Sequence, residues 1–393
     1  MKYLIEKIFF IFIFLAVFFA KSASFSKEQK IVYSQNHISN YFSGIVSAEQ
    51  GYTNEAFDYL NKVQLLKEKH PNYNVKFIRT LVLLGKFNQA FSFSKSIQKH
   101  GENIFEANLL LGLDSFINKD YTAAEKYFKK LNKITPSNLL FEDFVGNILI
   151  AWSKAVNKNS IESFKFIEIV PQPYRHFKKT QISFLKCYFG MNDAQDSFEQ
   201  LLENSEYNFS RYNFFLANYL LRKNENLNAE IVIKNSRKVY NSNLLLKQAE
   251  IFFQNESEDK IKNIFDCKNP QDPLAEFFYI IANLYSSQNN YQLSNFYLKI
   301  SLFLNEKFLP NKALLAENLY YLKNVEKSKD VFNSLRSIGS VFSWHASKNI
   351  ASILVKTKGK KYSAKKLKKD FDSLSEPSFE HYYELANFYK ENK

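Results

Sequence analysis

The chain alternates apolar runs and short polar breaks in a pattern that predicts pairs of antiparallel helices. In residues 104–136, two apolar stretches flank a polar break at 118–120. The small and large residues of the two stretches are spaced twelve, four and three positions apart: Gly112, Ala124, Phe128 and Leu131. Residues three and four apart share one face of a helix, so the segment is predicted to form helix, turn, helix. Pro136 is predicted to end the second helix.

The same spacing recurs along the chain, and that recurrence indicates an internal repeat. It is found at Gly44, Ala56, Leu60 and Val63; Ile78, Ala90, Ser94 and Ile97; Ala217, Ala229, Ile233 and Ser236; Ala282, Ser294, Leu298 and Ser301; and Ala316, Ser328, Phe332 and Leu335. The leading residues 44, 78 and 112 are 34 apart, as are 282 and 316.

Close packing explains the spacing, because paired helices approach tightly only where both carry small side chains. We expect Gly112 to lie against Ala124, while the larger Phe128 fills space towards the neighbouring repeat. Four further glycines fall at or near the turns between helices, where positive φ is useful. They are Gly51, Gly85, Gly190 and Gly359.

The stretch from 107 to 136, ANLLLGLDSFINKDYTAAEKYFKKLNKITP, resembles the tetratricopeptide repeat family. This resemblance implies an all-α solenoid, a right-handed superhelix of about ten helix-turn-helix repeats over residues 38–393. The clear repeats are predicted at 38–71, 73–103, 104–137, 210–240, 273–308 and 310–338. Weaker repeats are predicted at 141–171 (with Trp152), 176–204, 243–270 and 343–376 (with Ala364 and Phe371), and a half repeat at 378–393.

Composition agrees with a helical chain. Hydrophobic residues make up 46 %, with 40 Phe and 24 Tyr, but there are only 9 Gly and 8 Pro for turns. This scarcity leaves no material for a Gly-rich phosphate loop or a dinucleotide fingerprint, and no G-x-S-x-G motif occurs. Heavy use of Lys, Asn, Ile and Phe is typical of an A/T-rich bacterial genome.

The first 24 residues are predicted to be a signal peptide, followed by a lead-in at 25–37. Residues 8–20 form an unbroken apolar run of thirteen, within the range of a signal-peptide core and shorter than a spanning helix. Small residues follow at Ser22 and Ser24, where cleavage is expected. We therefore expect export to the periplasm; an uncleaved inner-membrane anchor is the alternative.

No metal, cofactor or catalytic constellation is predicted. The six histidines have no His or Cys three to five positions away, which excludes the usual metal-site spacing. Cys187 and Cys267 are expected about two repeats apart, roughly 20 Å at 8–10 Å per helix layer. A disulfide needs Cα atoms within about 7 Å, so their pairing is predicted not to form.

A basic cluster stands out in a chain of formal net charge +14: Lys356, Lys358, Lys360, Lys361, Lys365, Lys366, Lys368 and Lys369. It is either a solvated helix face or a contact for an anionic membrane surface, cell-wall polymer or acidic partner. Tyr362 is the one aromatic within it, so stacking of single-stranded nucleic acid is not expected.

The resemblance also implies a partner site, because first helices of the family line a concave groove that receives a peptide. The matching positions are Arg79, Leu113, Phe116, Phe214, Asn218, Tyr279, Asn283, Glu317, Tyr320, Tyr383 and Asn387. Aromatic and Asn side chains suit an extended peptide, although some of these aromatics could instead pack against the next repeat. We predict a non-catalytic scaffold of the bacterial cell envelope that binds protein or peptide partners, without cofactors.

One alternative from another class stays open. Exported lytic transglycosylases carry a long basic helical solenoid ahead of a catalytic domain, and this chain could be such a solenoid without its enzyme. The aromatic face of residues 379–393 would fit an array that continues.

Overall fold

The computed structural model describes residues 33–392 except residues 69, 100, 102, 135–142 and 204–209. The predicted signal segment and Pro136 therefore lie outside the described residues. Within the described part, twenty-one α-helices occur and no strand. They form ten antiparallel pairs and one last helix, so the predicted all-α solenoid of tetratricopeptide-type pairs is confirmed.

The first helices of the pairs are α1 (Gln35–Glu49), α3 (Pro71–Leu83), α5 (Phe105–Ile117), α7 (Val145–Val156), α9 (Arg175–Phe189), α11 (Tyr212–Arg222), α13 (Leu244–Gln254), α15 (Gln271–Ser287), α17 (Lys312–Tyr321) and α19 (Ser340–Lys358). The second helices are α2 (Thr53–Asn61), α4 (Phe87–Lys99), α6 (Tyr121–Leu131), α8 (Ser160–Glu168), α10 (Ala194–Leu202), α12 (Asn226–Val239), α14 (Asp259–Ile264), α16 (Tyr291–Leu304), α18 (Val325–Ser334) and α20 (Lys360–Asp372). Helix α21 (Phe379–Glu391) follows them.

The turn inside most pairs contains one residue in the left-handed conformation. Gly51 and Gly85 take this position with φ of 78° and 73°, as expected of residues without a Cβ. In six other pairs the same position holds a residue with a side chain: Lys119, Lys158, Asn224, Glu256, Asn289 and Lys323. The following residue often caps the second helix; Asp120, for example, accepts a hydrogen bond from the Ala123 N–H at 3.0 Å.

The small residue of the first helix makes room for the large residue of its own pair. A Cβ added to Gly112 would overlap the Phe128 ring, and one added to Gly44 would overlap the Leu60 side chain. Ala124 is fully buried. The expected role of Phe128 is therefore corrected, because it packs over the glycine within its pair. Helices can approach closely there only because the glycine lacks a side chain.

The pairs that match the repeat weakly in sequence keep the same packing register. The fourth buries Ala151, Ser163, Ile167 and Val170, and the seventh buries Ala249, Ile261 and Phe265. In the tenth pair Ser363, not Ala364, faces the first helix, and its hydroxyl donates to the Ala351 carbonyl. Ser328 makes the same bond to the Ala316 carbonyl at 2.8 Å. Serine can therefore replace alanine at this buried position, because its hydroxyl finds a hydrogen-bond acceptor in the first helix.

The solenoid closes on itself, which an open superhelix would not do. Helix α16 of the eighth pair packs against α3 of the second pair. Next to this contact, the ring of Phe87, at the start of α4, stacks on the Phe303 ring of α16 with centroids 3.9 Å apart. Helix α15 packs against α9, and Phe277 meets Phe144 at a centroid distance of 5.5 Å. The concave side of the first eight pairs is therefore largely filled by the chain itself.

Helix α15 is the centre of this closed body. Residues buried around its circumference include Leu274, Glu276, Phe277, Phe278 and Ile281. A helix that is apolar on most sides is a buried helix, and α15 fits that rule except at the buried acidic residues Asp272 and Glu276 and at Asn283, which is exposed to the cavity. One continuous apolar core extends from Leu60 to Leu315, while two smaller cores serve the pairs after it.

Cys187 and Cys267 form a disulfide, with Cα atoms 6.0 Å apart. The prediction that they would not pair is wrong. The prediction assumed that residues two repeats apart along the stack are also far apart in space. Closure of the solenoid instead brings the segment after α14 against α9. Phe265 in that segment lies 5.3 Å from the Phe184 ring, and the Lys268 ammonium donates to the Tyr188 carbonyl at 2.8 Å.

None of the helices among the described residues combines the length and the apolar character needed to cross a membrane.

Candidate functional site

A cavity lies on the inner side of the solenoid, between the first helices of its second half. Its volume is about 800 Å³, within the range of ligand and peptide pockets. The starts of α11 and α13 form one side, and the middles of α15 and α17 form the other. Closure leaves this part of the inner surface open while it fills the rest.

A buried ion pair forms the floor of the cavity. The Arg211 guanidinium donates from Nε and Nη2 to the two oxygens of Glu276, at 2.7 Å and 2.8 Å. Nη2 also donates to Asn311 Oδ1 at 2.7 Å. The guanidinium lies over the Tyr279 and Phe308 rings, 4.1 Å and 4.7 Å from their centroids. Each charge is thus compensated, which a side chain as buried as Glu276 requires.

This arrangement fixes the ionisation of the floor. Burial alone would lower the pKa of Arg211, but the nearby charge of Glu276 outweighs it and raises that pKa above its ordinary value. The guanidinium is therefore charged at neutral pH. Burial raises the pKa of Glu276, while the charge and the two hydrogen bonds of Arg211 oppose that rise. With both groups ionised, the floor presents no net charge to a ligand.

The rim of the cavity carries an acidic side chain without a charged partner at neutral pH. The Glu317 side chain is 43 % exposed, and its carboxylate lies 3.7 Å from His345 Nε2. Burial, together with Lys348, lowers the pKa of His345 to about 4. His345 is therefore neutral at pH 7. Burial also raises the pKa of Glu317, and no neighbouring cation stabilises the ionised form of its carboxyl group.

Three predicted groove residues meet at this cavity: Tyr279, Asn283 and Glu317. The structure brings them together on two consecutive first helices. Tyr320 follows Glu317 by one turn, and the Lys356 ammonium lies 5.1 Å from the centre of its ring.

Four other predicted groove residues are buried in the core: Leu113, Phe116, Phe214 and Asn218. The Asn218 amide donates to the Ile261 carbonyl at 2.8 Å, so its hydrogen bonding is structural. In this closed conformation these four are inaccessible to a partner, contrary to the expectation of an open groove.

The remaining predicted groove residues lie away from the main cavity. Arg79 pairs with the buried Glu106 and lines a separate cavity of about 230 Å³ beside Gln292. Tyr383 and Asn387 lie on α21, the last helix, where Tyr383 is exposed.

Sequence reasoning missed the ion pair of the floor. A signal for Glu276 was available, because it is the one acidic residue in the apolar stretch 273–285. Arg211 gave no such signal, since it lies at the start of α11 and meets Glu276 only through the closure of the solenoid.

The basic cluster occupies the end of α19 and the length of α20. Most of its side chains are exposed; Lys366 is half-buried and pairs with Asp370 at 2.7 Å. Lys368 pairs with Asp372 on the same helix. Part of the charge is therefore balanced locally, and contact with an anionic surface stays a prediction. Among the described residues, no group of three or more His, Cys, Asp or Glu side chains could hold a metal ion.

No protein-family model matches the chain, and no curated protein is significantly similar in sequence. Solved structures give distant matches. Yeast Tom70 is 11% identical, with 90% of this chain and 95% of that chain covered and a TM-score of 0.26. IFIT1 with Gppp-AAAA is 15% identical, with 90% of this chain and 81% of that chain covered and a TM-score of 0.28. Naa15/Naa10 bound to HypK-THB is 13% identical, with 91% of this chain and 66% of that chain covered and a TM-score of 0.25.

TM-scores this low carry no argument about function. The assignment of the fold rests on the repeated helix pairs of the chain itself.

Proposed function

We propose that the protein is a non-catalytic scaffold that binds an extended segment of a partner protein in the cavity between α11, α13, α15 and α17. The observation that carries the proposal is the cavity itself, about 800 Å³ of mainly apolar wall on the inner face of a repeat array. Pockets of this kind bind through apolar area and a few placed polar groups.

The polar groups of the wall suit a peptide. Asn283 offers an amide that can both donate to and accept from a peptide backbone, and Tyr279 combines an apolar ring with a hydroxyl. The floor holds Tyr279 under the Arg211 guanidinium, so the ring is positioned before a ligand arrives. Preorganised contacts of this kind reduce the entropy lost on binding.

Export to the periplasm is part of the proposal. The apolar run at 8–20 supports it, and so does the Cys187–Cys267 disulfide, because such bonds persist in oxidising compartments and are rare in the cytosol. Fractionation of the native cells tests it; a cytosolic chain with both thiols reduced would contradict this part.

The binding proposal is tested by photo-crosslinking. A benzophenone amino acid at position 283 should crosslink a partner in the periplasmic and membrane fractions. The same probe at Ile161, which is 81 % exposed on α8, is the control for non-specific contact. The decisive comparison is Ala313→Trp, which fills the cavity. If it leaves the crosslink at position 283 unchanged, the partner does not occupy the cavity and the proposal fails.

A further inference from the structure

The charges of the cavity wall do not cancel. The floor pair, Arg211 and Glu276, compensates itself through two hydrogen bonds. Glu317 on α17 has no cation among the described residues within ion-pair distance, because its one neighbour of that type, His345 at 3.7 Å, is neutral near pH 7. Among the described residues, the wall therefore holds in Glu317 a carboxyl group whose pKa is raised by burial and whose ionised form has no cation beside it.

The surroundings of Glu317 make this carboxylate more than an ordinary surface charge. Apolar side chains that share the cavity with it are Leu244, Ile280, Leu314 and Phe342. A ligand that filled this space would displace water from around the carboxylate, and an anion that loses water without gaining a partner is strongly penalised. A cation on the ligand would remove the penalty, whereas a second anion would increase it.

We infer, resting on the proposed function, that the cavity selects a segment in which a Lys or Arg side chain neighbours an apolar one, with the cation against Glu317 and the apolar group between Leu244 and Phe342. The Arg211 guanidinium does not compete for this carboxylate, since Glu276 and Asn311 already accept its hydrogen bonds. A segment with an acidic side chain at the same place is rejected.

The experiment begins without an assumed ligand. The full mature chain is used to select binders from an unbiased nine-residue peptide library, and each enriched peptide is measured again with Ala313→Trp and Asn283→Trp, which block the cavity. Circular dichroism and thermal unfolding show whether each variant is folded. We expect peptides that lose binding to both variants and are enriched in Lys or Arg beside an apolar residue.

Charge recognition is then measured with a double-mutant cycle. Replacing the basic residue of a selected peptide by norleucine should weaken binding to the natural chain roughly five-fold, as for a half-exposed ion pair. The same change should have no effect on binding to Glu317→Gln. Glu317→Lys should reverse the preference towards a Glu-containing peptide. Glu326→Gln removes an exposed charge on α18 and is the matched control.

The outcomes separate the two proposals. If the selected peptides lose binding to the blocking variants, but show no preference for basic residues and bind Glu317→Gln as tightly as the natural chain, this inference is overturned and the binding function stands. Peptides that the folded blocking variants do not affect, or no peptides at all, overturn both.

Discussion

The Phe87 ring stacks on the Phe303 ring at a centroid distance of 3.9 Å, although the two residues belong to the second and eighth helix pairs. A repeat protein normally makes contacts only between adjacent units. This stack is one of the contacts that convert the array from an open spiral into a closed body.

The first prediction is that Phe303→Ala weakens the closure. Phe303 is 37 % exposed, so the expected loss in the free energy of unfolding is about 2 kcal/mol, below that of a fully buried Phe. The radius of gyration from small-angle X-ray scattering should rise as α16 separates from α3. Leu227→Ala, at a position 77 % exposed on α12, should change neither quantity. Equal behaviour of the two variants would show that the stack does not hold the body closed.

The second prediction concerns the disulfide. Cys187 and Cys267 are separated by 80 residues, and for such a loop the chain-entropy model gives about 4.5 kcal/mol of stabilisation. Reduction with dithiothreitol should therefore lower the urea midpoint of the oxidised protein. A variant with both cysteines replaced by Ala should not respond to the reductant. Detection of two alkylatable thiols in oxidised, folded protein would contradict the bond.

The third prediction uses the strained turns between helices. Lys119→Gly and Lys323→Gly should each stabilise the protein by about 1 kcal/mol, because the left-handed conformation costs a residue with a Cβ that much. The same change at Lys126, in the middle of α6, should destabilise by a similar amount. Gly85→Ala should also destabilise the protein, because its φ is +73°. An added Cβ would meet no atom within 4 Å, so no new contact would compensate for that strain. Urea unfolding measures the sign of the stability change for all four variants.

The fourth prediction is a dependence of stability on pH. Burial raises the pKa of Asp272 from 3.8 to about 7, while the hydrogen bond from the Asp266 N–H partly offsets that rise. The folded state therefore holds this proton more tightly than the unfolded chain. Its stabilising contribution is complete below about pH 4 and is lost as the pH rises through 7.

Between pH 4 and pH 8 this group alone should lower the free energy of unfolding by up to about 4 kcal/mol. Asp272→Asn cannot titrate, so the difference between variant and natural chain should change across that interval. Asp259→Asn, on an exposed carboxylate, is the control. Parallel pH profiles for Asp272→Asn and the natural chain would disprove the shift.

Sequence alone was enough to predict the helix pairs, because their packing depends on residues twelve and sixteen positions apart in one short segment. Gly112, Ala124 and Phe128 carry that information locally. The register of the tenth pair was missed at Ser363, because the neighbouring Ala364 offers the smaller side chain; the bond from the Ser363 hydroxyl to the Ala351 carbonyl identifies Ser363 as the residue that faces the first helix.

Closure could not be predicted, because it accumulates from a small rotation at each pair and no single segment records it. The Cys187–Cys267 bond and the Arg211–Glu276 pair depend on closure and were missed for the same reason. One signal was present in α15, where apolar residues cover most of the circumference; a helix of that kind in a solenoid predicts contact on both sides.

The disulfide and the Phe87–Phe303 stack also restrict how this gene can change. Most repeat arrays lengthen or shorten by duplication or deletion of a unit, since each unit meets only its neighbours. An extra unit between the second and eighth pairs would shift Phe303 away from Phe87, and one between the fifth and seventh would separate the two sulfurs. The number of units between these anchors is therefore fixed by geometry. The ninth and tenth pairs are tied to the array in the same way, because Asn311 accepts a hydrogen bond from Arg211 at 2.7 Å and Gln248 accepts one from the Val341 N–H at 3.1 Å.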